Sequence, residues 1–543
     1  MNRPGKNKKR TATIVGVAVL LIAAGAWAGI GYAVRKTVLG EIRRLAGEQA
    51  TVEAERIGFN PLRRSLRIRN LRIAIDSSRS DARYPGLKNL DVRIRRIAID
   101  NARSTGKDGA RSITIGSLDI ERPDISIAFA DRKTAPQPSA TKKNTTGTIS
   151  VGRIAIDEGS LEICRTDNGH ETCRRATGIS FETGGIESAL SVPDPESLSR
   201  TALVLSVRRM EYIYGRGSMR LQADTVALDT KRGTLSIEAF RLLPQYPKDE
   251  FASRAPGHAD WTRIETGRIE GHGIDFASAV REKTLRADSL TIGSADISSY
   301  KNRQIARQER YKPLFFQTLQ RMPFRTDIGR VALSNAKARY EELPTRGTVA
   351  GAVFFDSLQG TMAADADDTS RLRLEVRGRL MDTARLRAVF RFPADSTGTR
   401  FDVEGRMEQL DPKAMNETTE PLGGIRFDAG RIDGMQFRIE GDTLRSTVSM
   451  RLLYDGLDIS VMKENQRGEF RERRILSALA DDWLIRKSNP EQGKLREGTG
   501  TCTRNPYRSQ FNYLWKSLLP GIESTVLTGH KNRGPAERTE PKR

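Results

Sequence analysis

The sequence predicts a mostly β protein: an elongated, repetitive antiparallel sheet curled into a groove, with an N-terminal transmembrane helix and a few helices near the C-terminus. Three observations point there. Apolar residues recur along much of the chain in one short, strand-like rhythm. Hydrophobic residues make up 37% and aromatics 6% of 543 residues, low for a compact enzyme of that length. One long uncharged run stands near the N-terminus. A chain this long exceeds a single compact core, so several domains or an extended architecture is expected.

Residues 1–10 carry Arg3, Lys6, Lys8, Lys9 and Arg10 and read as a cytoplasmic basic tail. Residues 11–34 contain no charge, enough for a membrane helix, which needs roughly 20 apolar residues. Trp27 and Tyr32 stand near its far end, where interfacial aromatics belong. The alternative is a cleaved signal peptide ending at Ala26-Trp27-Ala28, but the run is long for one. Either way the rest of the chain is exported. The cationic head favours an inside N-terminus, although Arg35, Lys36, Arg43 and Arg44 follow closely. The formal charge of +23 favours anionic partners, and export argues against nucleic acid.

Residues 35–56 read as a stalk, and the rhythm then begins. Leu66, Ile68, Leu71 and Ile73 stand at offsets 0, 2, 5 and 7. Val92, Ile94, Ile97 and Ile99 repeat them. Ile113, Ile115, Leu118 and Ile120 do so again, with Ile125 and Ile127 at offsets 12 and 14. Ile149, Val151, Ile154, Ile156, Leu161 and Ile163 match that longer set position for position. Partial copies occur at 290–297, 328–340 and 425–439. Steps of two are the period of a strand with one apolar face. A step of three keeps that face if one extra residue forms a β-bulge. Gly116, Gly152, Gly293 and Gly329 stand at this step and suit it. The step of five leaves room for a polar turn, as in "ERPD" and "DEGS", so the expected unit is a kinked strand, a turn and a second strand. The other face carries Arg67, Arg69, Arg72, Arg93, Arg95 and Arg96. A solvated sheet face is the first reading of these and an anion-binding surface the second.

Cys164 and Cys173 flank Asn168-Gly169, a strong hairpin signal. Counting outward puts them opposite each other, with Cα atoms roughly 4.5 Å apart, within reach of a disulfide. Free thiols, or a metal site using His170, are the alternatives. Cys502 has no evident partner. Residues 131–147 and 191–200 read as loops and 302–323 as a helix or ordered insert. Strands resume at 203–240, 331–360, 372–408 and 425–461. A helical C-terminal cap is expected over 463–525, ahead of a disordered basic tail at 526–543. Leu476, Leu479, Ala480, Trp483 and Leu484 share one face of its first helix; Phe511, Leu514, Trp515 and Leu518 share one face of its second; docking onto the sheet's end is the first reading of both faces and membrane or partner contact the second.

Nothing in the sequence points to catalysis. The four histidines, His170, His258, His272 and His530, form no HExxH pair and no nucleophile motif, and no phosphate-binding Gly-rich loop is present. Asp76, Asp100 and Asp157 follow strands, where they read as turn residues. No catalytic residue, cofactor or metal is expected.

Several stretches together resemble the bacterial AsmA-like family, the inner-membrane group that includes AsmA, TamB and YhdP. They are the anchor followed by "IGFNPLRRSLRIRNLRIAI", the recurrent I-x-I-G-x-[ILV]-x-I strand, "FRLLPQYPKDEFA" (240–252) and "ARYEELPTRGTVAGAVFFDSLQG" (338–360). "LDPKAMNETTEPLGGIRFDAGRIDGMQFRIEGD" (410–442) and "LLYDGLDISVM" (452–462) resemble the family's C-terminal portion. The likeness covers most of 57–462 and suggests a shorter, Bacteroidetes-type member. It implies a single-pass inner-membrane protein with most of its chain in the periplasm, binding or transferring phospholipid along a β-groove and serving outer-membrane lipid homeostasis. On that reading the groove is lined by Leu66, Ile68, Leu71, Ile73, Val92, Ile94, Ile97, Ile99, Ile113, Ile115, Leu118, Ile120, Ile149, Val151, Ile154 and Ile156. The partners are then phospholipid or another acyl-chain lipid, the inner membrane, and a second envelope protein where the groove is too short to bridge alone. About 20–25 strands at ~4.8 Å each would span on the order of 100 Å. A structural or assembly factor of the envelope without lipid transport is the alternative, and an enzyme acting on envelope glycans or lipids ranks third.

Overall fold

The computed structural model describes residues 38–40, 42–43, 50–76, 87–107, 110–129, 147–167, 169–189, 201–257, 259–306, 309–394, 398–464, 470–472 and 484–528. The expected membrane helix (11–34), the basic head and the loop at 191–200 lie outside these residues. So do the loop at 131–147 except its last residue, the first C-terminal helix except Leu484, and the tail beyond 528. No helix among the described residues is long and apolar enough to cross a membrane.

The chain is mostly β. In order, the strands are β1 (Thr51–Asn60), β2 (Ser65–Asp76), β3 (Leu87–Asp100), β4 (Arg103–Lys107), β5 (Ala110–Phe129), β6 (Gly147–Asp167), β7 (His170–Ala189) and β8 (Leu203–Tyr214). Then come β9 (Met219–Asp229), β10 (Thr234–Pro244), β11 (Trp261–Thr266), β12 (Ile269–His272), β13 (Thr284–Ile292), β14 (Ala295–Asn302), β15 (Arg325–Leu343) and β16 (Gly351–Ala364). β17 (Arg371–Leu380), β18 (Ala384–Pro393), β19 (Phe401–Met407), β20 (Ile425–Gly441), β21 (Arg445–Glu464), β22 (Phe470–Glu472), β23 (Leu484–Ile485), β24 (Glu497–Thr503) and β25 (Leu527–Thr528) complete them. The helices are α1 (Lys248–Arg254), α2 (Phe276–Arg281), α3 (Phe315–Gln320), α4 (Asn416–Gly423) and α5 (Gln510–Val526). β1 begins inside the segment read as a stalk, and the expected helix at 302–323 reduces to α3.

The described residues fall into two compact units: 1–246, 264–292 and 324–328 in the first, and 247–263, 293–323 and 329–543 in the second. In the first unit β1, β2, β3 and β5 pair antiparallel in that order, and β6 to β10 do the same. β5 and β6 are parallel, which corrects the expectation of a wholly antiparallel sheet. The two longest copies of the rhythm lie side by side in this parallel pair, Ile113 beside Ile149, Leu118 beside Ile154 and Ile127 beside Ile163. Between β2 and β3 the rhythm pairs with its own reverse: Leu66 with Ile99, Ile68 with Ile97, Leu71 with Ile94 and Ile73 with Val92. The steps 2-3-2 read the same in both directions, so either strand orientation aligns the apolar residues and the break between them.

"ERPD" and "DEGS" are not turns. β5 and β6 run through them unbroken. The step of five is a step of three plus a step of two, and its hidden slot is filled by buried Pro123 and Gly159. Pro123 pairs with Ile94 and Gly159 with Ile179, both on the apolar side. The extra residues are Arg122 (φ 46°) and Glu158 (φ 49°). Glu55, Asn70, Arg95, Gly178, Arg208, Thr225 and Glu238 interrupt the pairing of their own strands at the same level. The breaks therefore form one line across the sheet. Ionic and polar side chains mark it on the outer surface: Asn70 donates to Glu55, Arg122 pairs with Glu158 at 3.0 Å, and Arg208 reaches the same carboxylate at 3.4 Å. Gly116 and Gly152 belong to a second break and serve close approach rather than positive φ. A Cβ on Gly152 would sit 2.7 Å from the Gly116 carbonyl oxygen, and one on Gly116 2.9 Å from Asn101 Cβ.

In the second unit β14 lies parallel to β15, and β15 to β21 pair antiparallel in chain order. β20 carries the rhythm, with Met435 in the hidden slot, and its Phe437 and Ile439 pair with Met450 and Val448 of β21. The expected helical cap is half sheet, because β24 extends the sheet along β21. α5 packs against β24 through Tyr513, Ser517, Gly521 and Thr525. The residues read as its docking face divide: Leu514 and Leu518 are half-buried, while Phe511 and Trp515 are exposed. Backbone proximity decides this, since a Cβ on Gly498 would collide with Gly521 and one on Gly500 with Pro520. A line of small residues therefore wins over the larger apolar ones.

Gly152→Ala should lower the unfolding free energy by about 1–3 kcal/mol, since its methyl group meets backbone that cannot swing away. Gly184→Ala, where a Cβ meets nothing within 4 Å, should not destabilise. Chemical denaturation of both variants checks the pair.

Candidate functional site

The sixteen residues read as a groove lining do share one face. Fourteen are 0–7% exposed and gather in a single buried cluster with Val38 and Ile42, while Ile154 and Ile156 pack half-buried at its edge. β1 to β5, with the start of β6, thus form a closed hydrophobic core, and Ile115, with no exposed surface, has no room for a ligand.

The same face continues beyond that core. One row of paired residues runs Ile57, Ile68, Ile97, Ile120, Ile156, Phe181, Leu205, Leu228, Leu235, Gly271 and Leu290. A second, across the line of breaks, ends in Ile179, Val207, Val226, Ile237, Ile269 and Ile292. Along both rows cover thins beyond β6, although Val207 (6% exposed) and Gly271 stay buried. Phe181, Leu205, Leu228, Leu235, Ile237, Ile269 and Leu290 are half-buried, and no buried cluster among the described residues forms over β7–β13. Sequence reasoning did not single these residues out, yet the signal is present. Leu205, Val207, Met210 and Tyr212 stand at offsets 0, 2, 5 and 7, as do Leu235, Ile237, Phe240 and Leu242.

Arginines stand near one border of this face. Arg165 continues the alternation of Leu161 and Ile163, and Arg174 pairs with both Ile163 and Tyr212. Their guanidinium groups stack over Phe129 at 5.5 Å and Tyr212 at 4.7 Å. On the opposite face, Cys164 and Cys173 stand directly across from each other with Cα atoms 4.1 Å apart and form a disulfide. Their only metal-sized grouping among the described residues adds Glu162, and two of its three donors are spent on that bond. Cys502 is free and half-buried, and burial pushes its thiol pKa up. His170 and His272 are exposed.

The arginine-bearing outer face is largely neutralised by its own acids. Arg67 pairs with Asp100 at 2.9 Å, Arg93 with Asp91 at 2.6 Å, Arg72 with Asp91 at 3.4 Å, and Arg96 with Glu121. Arg153 joins three strands by reaching Asp119 at 2.6 Å and Glu182 at 2.8 Å, and these bonds raise its pKa. In the second unit Glu375 accepts from Arg377, Arg387 and Arg373, which hold its carboxyl down to about 2. Such exposed pairs are individually weak; they occupy four of the six arginines read on that face, while Arg69 and Arg95 have no carboxylate partner among the described residues.

No protein-family model matches the chain, and no curated protein matches it either.

The Glu375 network has a pH signature. Its folded-state pKa lies below the ordinary 4.5, so its stabilisation is complete above about 4.5 and is lost as pH falls through about 2. The stability difference between wild type and Glu375→Gln should therefore shrink across that range. A difference that stays constant in denaturation at a series of pH values would count against the network.

Proposed function

We propose that the partly exposed apolar face of β7–β13 holds the acyl chains of phospholipid, and that the protein is an inner-membrane-anchored periplasmic component that binds or transfers such lipid for outer-membrane lipid homeostasis. The observation that carries this reading is the continuation of both apolar rows past the closed core with only partial cover. Each buried CH₂ group is worth about 0.8 kcal/mol, so an acyl chain gains strongly from that face. The rows repeat nearly identical contacts every ~4.8 Å, the strand spacing, so a chain can shift along them without a deep trap. Arg165 and Arg174 near the border suit an anionic head group. The likeness to AsmA-like proteins supports the same function and the same location.

A second reading is a structural or assembly factor of the envelope without lipid transport. The closed core of β1–β5 favours it, since much of the apolar face there is already filled by the chain itself.

Ile237→Glu should cut the phospholipid recovered by mass spectrometry from the gently purified full-length protein at least about tenfold, a loss of roughly 1.4 kcal/mol in binding. Ser236→Glu, one residue away on the other face, should leave it unchanged. Equal loading in wild type and Ile237→Glu, or a wild type that carries no lipid, would favour the structural role.

A further inference from the structure

We propose that the second unit contains a binding site for a phosphate-class anion, in the cavity between the ends of β14 and β24 and the first turns of α5. The cavity, of roughly 320 Å³, is lined by Lys301, Arg303, Arg504, Arg508 and Lys516, against one acid, Glu342. Glu342 already serves two of these cations, Arg303 at 3.2 Å and Lys301 at 3.7 Å. Arg504, Arg508 and Lys516 have no carboxylate partner among the described residues.

Arg504 makes the site more than a basic patch. It is only 6% exposed. Two of its nitrogens donate to backbone carbonyls, Nη1 to Thr443 at 3.1 Å and Nη2 to Lys312. Its ring contacts, Tyr311 at 5.5 Å and Tyr513 at 5.9 Å, are also neutral. Its Nε is buried with no hydrogen-bond partner among the described residues. A buried guanidinium without a counter-charge is costly, and an anion in the adjoining cavity would relieve that cost. Lys301 points the same way: burial, with Arg508 and Lys312 nearby, lowers its pKa despite Glu342. α5 opens at Gln510 with Asn512, Tyr513 and Lys516 on the cavity wall, so its N-terminal field adds to the attraction. Several convergent N–H donors on arginines suit tetrahedral phosphate oxygens. The phosphate could belong to a lipid head group or to a free phosphorylated solute. The site does not depend on the acyl-chain reading, because its residues lie in the other unit.

The test uses the full-length protein in detergent, titrated calorimetrically with inorganic phosphate and with dihexanoyl phosphatidic acid. Wild type should bind at least one of them saturably. Arg508→Gln combined with Lys516→Gln should weaken that binding at least about tenfold without moving the unfolding midpoint, because neither side chain holds a bond that the fold needs and the Arg504 clamp stays intact. Phosphatidic acid bound more tightly than phosphate, and displaced by it, identifies a head-group site; phosphate bound as tightly or more tightly identifies a free-phosphate site. Absence of saturable binding of both probes to wild type, or unchanged affinity in the double variant, overturns the proposal. Because inorganic phosphate has no acyl chain, its result is separate from lipid loading on the Ile237 face.

Discussion

One extra residue in a strand sends every later side chain to the opposite face. That constraint organises the first unit. The breaks at Asn70, Arg122, Glu158, Gly178 and Thr225 all carry positive φ, and all fall at one level of the sheet. If one strand lacked its break, its isoleucines beyond that level would face water and its arginines would enter the apolar side. The 2-3-2 rhythm meets the constraint economically, since its mirror symmetry lets any copy pair with any other in either direction. It accounts for both the parallel β5–β6 pair and the antiparallel β2–β3 pair. Repeated bulges at one level also increase local twist and bend, a natural way to give one face of a sheet a concave line.

The two faces then take different roles. The outer one is held by cross-strand ion pairs of which Arg153, with Asp119 and Glu182, is representative. The inner one changes character along the rows, from the closed core of β1–β5 to the half-exposed strands after β6. On the proposed reading, a sheet whose apolar face is closed at one end and only partly covered farther along offers an apolar guest its place there. The central proposal rests on that contrast, because the composition of the face is similar throughout.

Much of this was legible in the sequence. Offsets 0, 2, 5 and 7 gave the strands, their bulges and the shared face of all sixteen candidate residues, and the hairpin count placed Cys164 opposite Cys173. Three things were hidden, each for a physical reason. Pro123 and Gly159 occupy apolar slots without a conventional apolar side chain, so a continuous strand looked like a turn. Parallel and antiparallel pairings satisfy a symmetric pattern equally well, so strand direction was not encoded in it. Cover is a tertiary property, so Ile115 in the closed core and Ile237 on the half-exposed face look alike as letters. The docking face of α5 was legible in part: Leu514 and Leu518 pack against the apolar core and Phe511 against Tyr340 and Phe355, whereas Ser517 and Gly521, which meet β24 through close backbone approach, carry no apolar signal. The cations of the second unit's cavity come from segments about two hundred residues apart, between Lys301 and Lys516, and no local pattern joins them.

The most direct test of the acyl-chain face is a photo-crosslinking scan along β10. A benzoylphenylalanine probe would be placed at each position from 235 to 242 in the full-length protein and irradiated with lipid present. Acyl-chain contact on this face predicts lipid adducts at 235, 237, 240 and 242 and none at 236, 239 and 241, a phase break that only the bulge at Glu238 produces. Adducts spread evenly along the strand, or none at any position, would contradict it.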